Sequence, residues 1–527
     1  MRAEWEKGWR GRLYVLGRRL VPLGWRRAIR RRFAPERLLG IRKPATDIPR
    51  YDFDPNEVRP GRPDVLFLPV IAWSYRRQRP QQLAEALARR GRRVFYGALL
   101  GPGEPSAAAG AAAGVLLLPI AGVRREDPAD RRLDGTALEA AFASIARARD
   151  EYGLFETAVV VQTPYWAPLA RRLQRDFGWK IVYDCLDAHA AFDKNRAELL
   201  AAAEKDLLSE ADLVVATSEV LRAPLAGKRR SLGKAEARLL PNACDARLLE
   251  EPVPAGRSGP LTVGYVGAVD DWFDAELLEA VARRRPDWRF EIVGGVEGDR
   301  VSFARQLPNV AFHGERPYAE LAALRSRFDV EIIPFRLSAL THAVDPVKLY
   351  EAAAAGRPVV ATPLQSLGPH AERGIVRLAA GPDDFAREIE SAAASAVSEA
   401  ARRRAFAREN TWEKRAEDLD GWIRELYPTV SILLVTYNGI ALTRLCLESL
   451  DRRTDWPALE IVAVDNGSRD GTPAWLAEEE ARRGPALRLV AFPENRGFAP
   501  AVNAAAGAAH GEFLCLLNND TVVTRGW

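Results

Sequence analysis

LTVGYVGAVDDWFDAELLEAVARRRPDWRFEIVGG, residues 261–295, is the stretch that decides the fold. Its opening, LTVGYVGAV, is apolar at almost every position, as expected of a strand buried on both faces. AELLEAVARRRP at 275–286 has the spacing of an amphipathic helix, and RFEIVGG at 289–295 is a second apolar run. Strand, helix and strand in this order make a unit of a parallel sheet. Going forward, VAFHGE, YAELAALRSRF, VEIIPF, VKLYEAAAAG and RPVVAT repeat the alternation up to Thr362, and residues 383–427 read as largely helical. Going backward, the Pro/Gly-rich EPVPAGRSGP at 251–260 is a clear break. Before it the same alternation runs from VLFLP at 65–69 through KIVYDC at 180–185 to ADLVVATS at 211–218. After Pro428 it restarts a third time with VSILLVTYN.

The predicted fold class is therefore α/β. Two Rossmann-like, doubly wound domains, 63–255 and 256–427, face each other across a cleft, and 428–527 forms a partial third unit of the same kind. A chain of 527 residues is too long for one core. With 47% hydrophobic and 28% charged residues the composition is that of a globular protein, and no apolar run has the length of a membrane span. Cys185, Cys244, Cys446 and Cys515 are scattered without a CxxC pair, which argues against a disulfide framework and against a zinc site.

Net charge is unevenly divided. Residues 1–45 carry fourteen Lys/Arg against three Glu, so the overall +5 leaves about −6 on everything after them. Within 1–62, arginines such as Arg18, Arg19, Arg26 and Arg27 alternate with Leu20, Leu23 and Trp25. This pattern suits contact with an anionic membrane surface, docking on the first domain, or a disordered tail. The negative remainder and the lack of a recognised motif argue against a nucleic acid partner.

Ligand sites in open parallel sheets lie beyond the carboxyl ends of the strands. Gly264 and Gly267 allow backbone to approach a phosphate there, ahead of a helix from about Asp274. In DPVKLYEAAAAGRPVVAT, 345–362, Pro346 suits the first turn of a helix, and Lys348 and Glu351 share a helical face. A cation is thereby offered to phosphate and a carboxylate to a pair of sugar hydroxyls. On spacing alone a surface ion pair is an equal reading. Trp73, Tyr75, Arg76, Arg79 and Asp184–Asp187 are candidate acceptor-side residues, and His189 and His342 fall near the same cleft.

Residues 63–427 resemble retaining glycosyltransferases of the two-Rossmann-domain, GT-B type, group 1 or family 4. EAAAAGRPVVAT resembles that family's ribose-binding segment, which makes Glu351 the ribose ligand. LLPNACDARLL at 239–249 resembles its segment before the hinge, through Pro241, Asn242 and Asp245, and YDCLDAHAAF at 183–192 resembles a subgroup acting on cell-envelope polysaccharides. The family's second acid, eight positions before the ribose-binding Glu, is replaced by Ala343. Asp345 is expected to take its role, with Lys348 and Arg336 stabilising the departing diphosphate without a metal.

In the third unit, polar residues follow three apolar strands: Asp465, Asn466, Ser468 and Asp470 after the second, and Asn518, Asn519 and Asp520 after the third. Asp465 is a candidate acceptor for base or ribose, Asn466 and Asp470 are candidate nucleotide contacts, and Asp520 is a candidate ligand for Mg²⁺ or Mn²⁺ shared with a diphosphate. Each Asp taken singly also suits a turn. VTYNG, VDNGSRDGT, ENRGFAPAVNAA and LLNNDT resemble family 2, GT-A glycosyltransferases, and NND resembles the variant found in rhamnosyltransferase-like members. That family's general base lies well beyond this motif. The chain stops seven residues after Asp520, so a truncated, inactive third module is expected.

Together these features imply a bifunctional hexosyl- or deoxyhexosyltransferase. Its donor is expected to be a nucleotide-sugar, and its acceptor a lipid-linked or growing surface glycan. It is expected in the cytoplasm, peripherally on the inner face of the plasma membrane. The alternative is a noncatalytic nucleotide-sugar or glycan binding scaffold.

Overall fold

The computed structural model describes residues 63–99, 114–124, 133–192, 197–250, 259–296, 306–454, 456–524 and 527. The basic segment 1–45 and the linker to residue 62 lie outside the described residues.

The first domain comprises β1 (Asp64–Leu68), α1 (Arg79–Arg89), β2 (Val94–Ala98), β3 (Val115–Pro119), α2 (Gly135–Tyr152), β4 (Thr157–Val161), α3 (Ala167–Phe177), β5 (Lys180–Cys185), α4 (Ala197–Glu210), β6 (Leu213–Ala216), α5 (Glu219–Ser231) and β7 (Arg238–Leu239). Its seven strands are parallel in the order β3-β2-β1-β4-β5-β6-β7. Every residue of β1, β2 and β4 is buried, which is why these segments read as continuous apolar runs. The strand order reverses between β1 and β4, the kind of point at which open parallel sheets place ligand crevices.

The second domain repeats the plan with β8 (Thr262–Val266), α6 (Ala275–Arg284), β9 (Arg289–Val293), β10 (Val310–Phe312), α7 (Tyr318–Arg325), β11 (Val330–Ile333), α8 (Ala339–Ala343), α9 (Val347–Ala354), β12 (Val359–Ala361) and β13 (Val376–Leu378). The parallel order is β10-β9-β8-β11-β12-β13, with its reversal between β8 and β11. Asp274 caps α6 by accepting from the Leu277 N–H at 2.9 Å. Pro346 stands one residue outside α9 as its cap rather than within its first turn. Gly356, at φ 72°, follows the helix end in the left-handed conformation.

α10 (Pro382–Ala394) and α11 (Ala400–Glu409) complete this domain, but α12 (Trp412–Arg424) does not stay with it. Trp412, Ala416, Leu419 and Ile423 pack with Leu83, Leu87 and Val94 in the core of the first domain. Arg92 on that side forms a buried ion pair with Asp420. The crossing points are tied together: the Cys244 N–H donates to the Asn410 carbonyl at 3.0 Å, and the Trp412 N–H to the Cys244 carbonyl at 3.1 Å. Sequence pattern groups 412–427 with the second domain, whereas its apolar face belongs to the first.

The third unit contains β14 (Val430–Thr436), α13 (Ile440–Arg453), β15 (Leu459–Asp465), α14 (Thr472–Arg483), β16 (Leu487–Ala491), α15 (Phe498–Ala508) and β17 (Phe513–Asn518), with parallel strand order β16-β15-β14-β17. It meets the first domain with the N-terminal ends of its strands. Trp456 and Ala458 pack against the first domain's core, and the Trp456 indole donates to the Pro428 carbonyl at 2.9 Å. Its strand C-termini are at the opposite end. β17 pairs only with β14 and exposes Phe513, Leu514 and Leu516. No helix among the described residues is long and apolar enough to cross a membrane.

Candidate functional site

Lys348 and Glu351 lie on one face of α9, beside the reversal between β8 and β11. The Lys348 stem runs under the β8–α6 loop. A Cβ on Gly267 would stand 2.3 Å from Lys348 Cε and 2.7 Å from Nζ, and Gly267 has a φ of +150°. Only glycine fits here. Gly294 after β9 is equally constrained, with a φ of +148° and a Cβ position 1.9 Å from the Gly267 carbonyl oxygen. The ammonium lies 5.4 Å from the Tyr265 ring centroid and 5.3 Å from that of Phe335. It makes no ion pair within 4 Å among the described residues. Burial pushes Lys348 down to about 8, partly opposed by Glu351.

Glu351 accepts from Arg325 Nη2 at 2.6 Å and from the Tyr318 hydroxyl at 3.3 Å. Arg325 is itself buried and clamps Glu331 of β11 at 2.6 Å. A carboxylate has capacity for about four hydrogen bonds, so these partners orient Glu351 and leave room for a hydroxyl pair. The Tyr318 hydroxyl also accepts from Gln82 of the first domain at 3.3 Å.

The other cleft candidates have different surroundings. Gly264 lies within β8, and its Cβ position is filled by the Phe328 ring at 2.0 Å, so close packing explains it rather than phosphate approach. Arg336 is half-exposed; Nε donates to the Phe273 carbonyl at 3.3 Å and the guanidinium faces Glu276 at 3.6 Å, and the structure records no contact with Lys348. Asp345 is buried in a brace between the domains. It accepts from the Asn242 N–H at 2.6 Å and from the Tyr350 hydroxyl at 3.0 and 3.1 Å, while its carbonyl accepts from Asn242 Nδ2 at 2.6 Å. Burial raises the Asp345 carboxyl to about 6. Asn242 is thereby spent on the brace. Ala343 is buried against the first domain's core, and its carbonyl accepts from Ser218 at 2.6 Å. The position where the family places an acid is thus a domain contact.

On the first-domain side, Arg79 is buried against Asp184 at 2.8 and 3.1 Å, and Gln162 adds a third hydrogen bond to the same carboxylate at 3.0 Å. Asp187 and His189 lie just beyond. Burial raises Asp187 to about 6 and lowers His189 to about 4, and the buried His189 Nε2 has no hydrogen-bond partner. His342 accepts from the Gln365 N–H at 3.2 Å.

In the third unit Asp465 and Asn518 flank the end of β14 at Thr436 and Val435. Asp465 is buried; one oxygen accepts from the Ser468 N–H at 3.2 Å and the other is buried without a partner. Asn466 is fully used in holding the next loop: it donates to Asn495 and Gly497 and accepts from the Arg496 N–H at 2.9 Å. Asp470 accepts from the Thr472 N–H at 3.0 Å and the Ile440 N–H at 3.4 Å, fastening two helix starts. Asn519 donates to Thr436 and Thr443, whereas Asp520 is exposed. No group of three or more His, Cys, Asp or Glu gathers among the described residues. Asp520 therefore fits a divalent ion only as one ligand beside diphosphate oxygens and water, the arrangement Mg²⁺ favours.

Comparison with known proteins extends these observations. The family model described as Glycosyl transferases group 1 matches residues 260–395, and Glycosyl transferase family 2 matches 431–527. The first match lies within the second domain and the other spans the third unit. TuaH of Bacillus subtilis (strain 168), named for teichuronic acid biosynthesis, is 30% identical over 210 residues, 36% of this chain and 52% of TuaH. The succinoglycan biosynthesis protein ExoO of Rhizobium meliloti (strain 1021) is 35% identical over 96 residues, 18% of this chain and 26% of ExoO. The chain thus spans about half or less of these relatives. Sucrose-phosphate synthase from Thermosynechococcus elongatus shares the fold with a TM-score of 0.57 at 19% identity, covering 69% of this chain and 99% of that one. A glycosyltransferase from Rickettsia africae aligns with a TM-score of 0.51 at 11% identity, covering 69% and 98%. The tandem Rossmann-like pair followed by a smaller Rossmann-like unit is the GT-B plus GT-A architecture expected from sequence.

Within the paired Rossmann-like domains, several residues around Lys348 and Glu351 carry no signal in the sequence. Gly294 looked like an ordinary strand end, and Arg325, Glu331 and Tyr318 gave no local signal, because their link to Glu351 exists only once β11 and α9 are side by side.

Proposed function

We propose that the chain transfers sugars from nucleotide-sugar donors to a cell-surface glycan, with the donor of the GT-B module held between its two domains. The observation that carries this reading is Lys348: a half-buried ammonium without an ion-pair partner among the described residues, tucked under Gly267 and one helical turn from Glu351. A diphosphate would satisfy the ammonium, and Glu351 would accept from the ribose hydroxyls. As the sugar leaves, negative charge grows on the diphosphate while the anomeric carbon becomes oxocarbenium-like. A fixed cation in a partly dry site stabilises that change without reorganising. Attack from the face the diphosphate leaves would retain the configuration. Asp345 acts in this account as a brace that positions α9 and not as a sugar-facing acid.

In the GT-A module, Asp465 would accept from base or ribose, with Asn466 and Asp470 shaping its loops. Asp520 would share Mg²⁺ or Mn²⁺ with the donor diphosphate, and transfer there would invert. Asp520 within NND motivates a deoxyhexose donor for this module. The names of TuaH and ExoO support a surface polysaccharide as product. A lipid-linked or growing glycan is the proposed acceptor, met at the inner face of the plasma membrane through the basic residues 1–45.

One observation favours the scaffold reading: Ala343 and Asp345 leave the sugar side of the cleft without an obvious carboxylate from α8 or α9. A nucleotide-sugar screen read by mass spectrometry decides between the two. Turnover by the wild-type chain that Glu351→Ala abolishes supports transfer by the GT-B module; binding without turnover of any donor would establish the scaffold.

A further inference from the structure

Arg76 belongs to the loop after β1 in the first domain, yet its guanidinium ends on the donor sheet. Nη2 lies 2.6 Å from the Cβ position of Gly295. Gly295 follows Gly294, whose own Cβ position is filled by the Gly267 carbonyl, and Gly267 is underlain by Lys348. A continuous run of close approaches therefore joins two cations from separate domains at the ends of β8 and β9. They sense each other: Arg76 is among the charges that disfavour the Lys348 ammonium and one that favours ionised Tyr265. Arg76 is held by Glu315, with Nε donating to Oε1 at 2.8 Å and Nη2 to Oε2 at 3.2 Å. Glu315 is more than half exposed, and it projects from the segment between β10 and α7, three residues before Tyr318 at the start of α7.

A departing diphosphate carries more charge than one ammonium neutralises, and the loop after Gly267 carries Asp270 and Asp271 rather than cations. Arg76 fills that gap. Its planar fork matches two phosphate oxygens as well as it now matches two carboxylate oxygens. We propose that Arg76 is the second cation of the diphosphate site, delivered by the first domain, with Glu315 holding its guanidinium until the diphosphate replaces the carboxylate. This rests on the donor-site reading above and adds a consequence. The leaving group is gripped from both domains, so donor affinity depends on a residue outside the donor domain.

The test uses the intact chain in EDTA, which silences metal-dependent binding by the third module, with UDP, GDP and dTDP as probes and calorimetry as readout. Arg76→Gln is expected to weaken the bound diphosphate about tenfold or more, and Arg76→Lys to restore part of it. Glu315→Gln breaks the same ion pair but leaves the cation, so it is expected to match or exceed wild-type affinity. Arg76 is half-buried at the cleft rim, and matched thermal unfolding of the three variants checks that the fold is kept. Unchanged affinity in R76Q, or equal losses in R76Q and E315Q, would overturn the proposal, the latter because the pair would then be only a latch between domains. A wild-type chain that binds none of the probes would remove the donor-site reading itself.

Discussion

The cleft of the GT-B module and the strand ends of the GT-A module are built on the same topology and carry opposite charge. In both, parallel strands run out at a reversal of strand order, β8 against β11 in one and β14 between β15 and β17 in the other. The first places Lys348 and, from across the cleft, Arg76 at that point. The second places Asp465 and Asp520 there. A diphosphate beside Lys348 meets a charge of opposite sign, whereas beside Asp520 it meets its own sign and needs a divalent ion between them. On the proposed reading, the fold fixes where a nucleotide goes, and the sign of a few side chains fixes what must come with it.

The largest expected effect concerns the scaffold that makes the first site a cleft. Arg79→Ala leaves Asp184 buried without its cation, and removing one partner of a buried pair costs about 3–5 kcal/mol. Urea unfolding followed by circular dichroism is expected to show that loss, and a cost under about 1 kcal/mol would mean that water reaches Asp184. Next, Glu351→Ala removes a charged acceptor for ribose, worth about 1.5–3 kcal/mol, so nucleoside diphosphate affinity in EDTA falls roughly tenfold to hundredfold. Binding that depends on Mn²⁺ is expected to survive this change and to disappear in Asp520→Asn; loss of both classes in either single variant would erase the contrast between the modules.

A pH titration sharpens the same contrast. The Lys348 ammonium is present below about 8 and lost above it, so affinity in EDTA falls about tenfold per unit at higher pH. The Mn²⁺-dependent class has no such lysine and stays flat, and Lys348→Arg moves the fall to higher pH. Stability runs the other way: the folded pKa lies below the unfolded 10.5, so the Lys348 contribution to stability rises with pH between about 8 and 10.5. A fall in affinity that K348R does not move would assign the titration to another group. The smallest effect belongs to Asp345. Its folded pKa of about 6 lies above the unfolded 3.8, so its contribution is greatest at the acid end and is lost as pH rises through about 6. Asp345→Asn is expected to flatten that part of the stability profile, and an unaltered profile would show that the brace does not need a proton.

Most of the strands and the Lys348–Glu351 pair were legible in the sequence because buried parallel strands leave unbroken apolar runs and helical spacing is local. α5 was not, since Pro224 and Gly227 interrupt its period while tertiary packing of Leu221 and Leu225 holds it. Arg76 and Arg79 stand three residues apart in RRQRPQQ and look alike; one is buried on Asp184, the other crosses to Glu315, and the partners lie 105 and 239 residues away. Gly264 resembled a phosphate glycine because the Phe328 ring that demands it arrives from far along the chain. Asn466 directly follows β15 and Asp470 stands just before α14, where turns and ligands call for the same side chains. Asn466 spends its side chain on the next loop and Asp470 accepts from two helix-start N–H groups, whereas Asp465 keeps one buried oxygen without a partner.

The most direct test is a calorimetric titration of the intact chain with a nucleoside diphosphate, first in EDTA and then with Mn²⁺. One class of binding in EDTA that Glu351→Ala removes, and a second that appears with Mn²⁺ and is lost in Asp520→Asn, is the result expected. Binding in EDTA that is indifferent to Glu351, or none until metal is added, would contradict a metal-free cationic site between the paired domains.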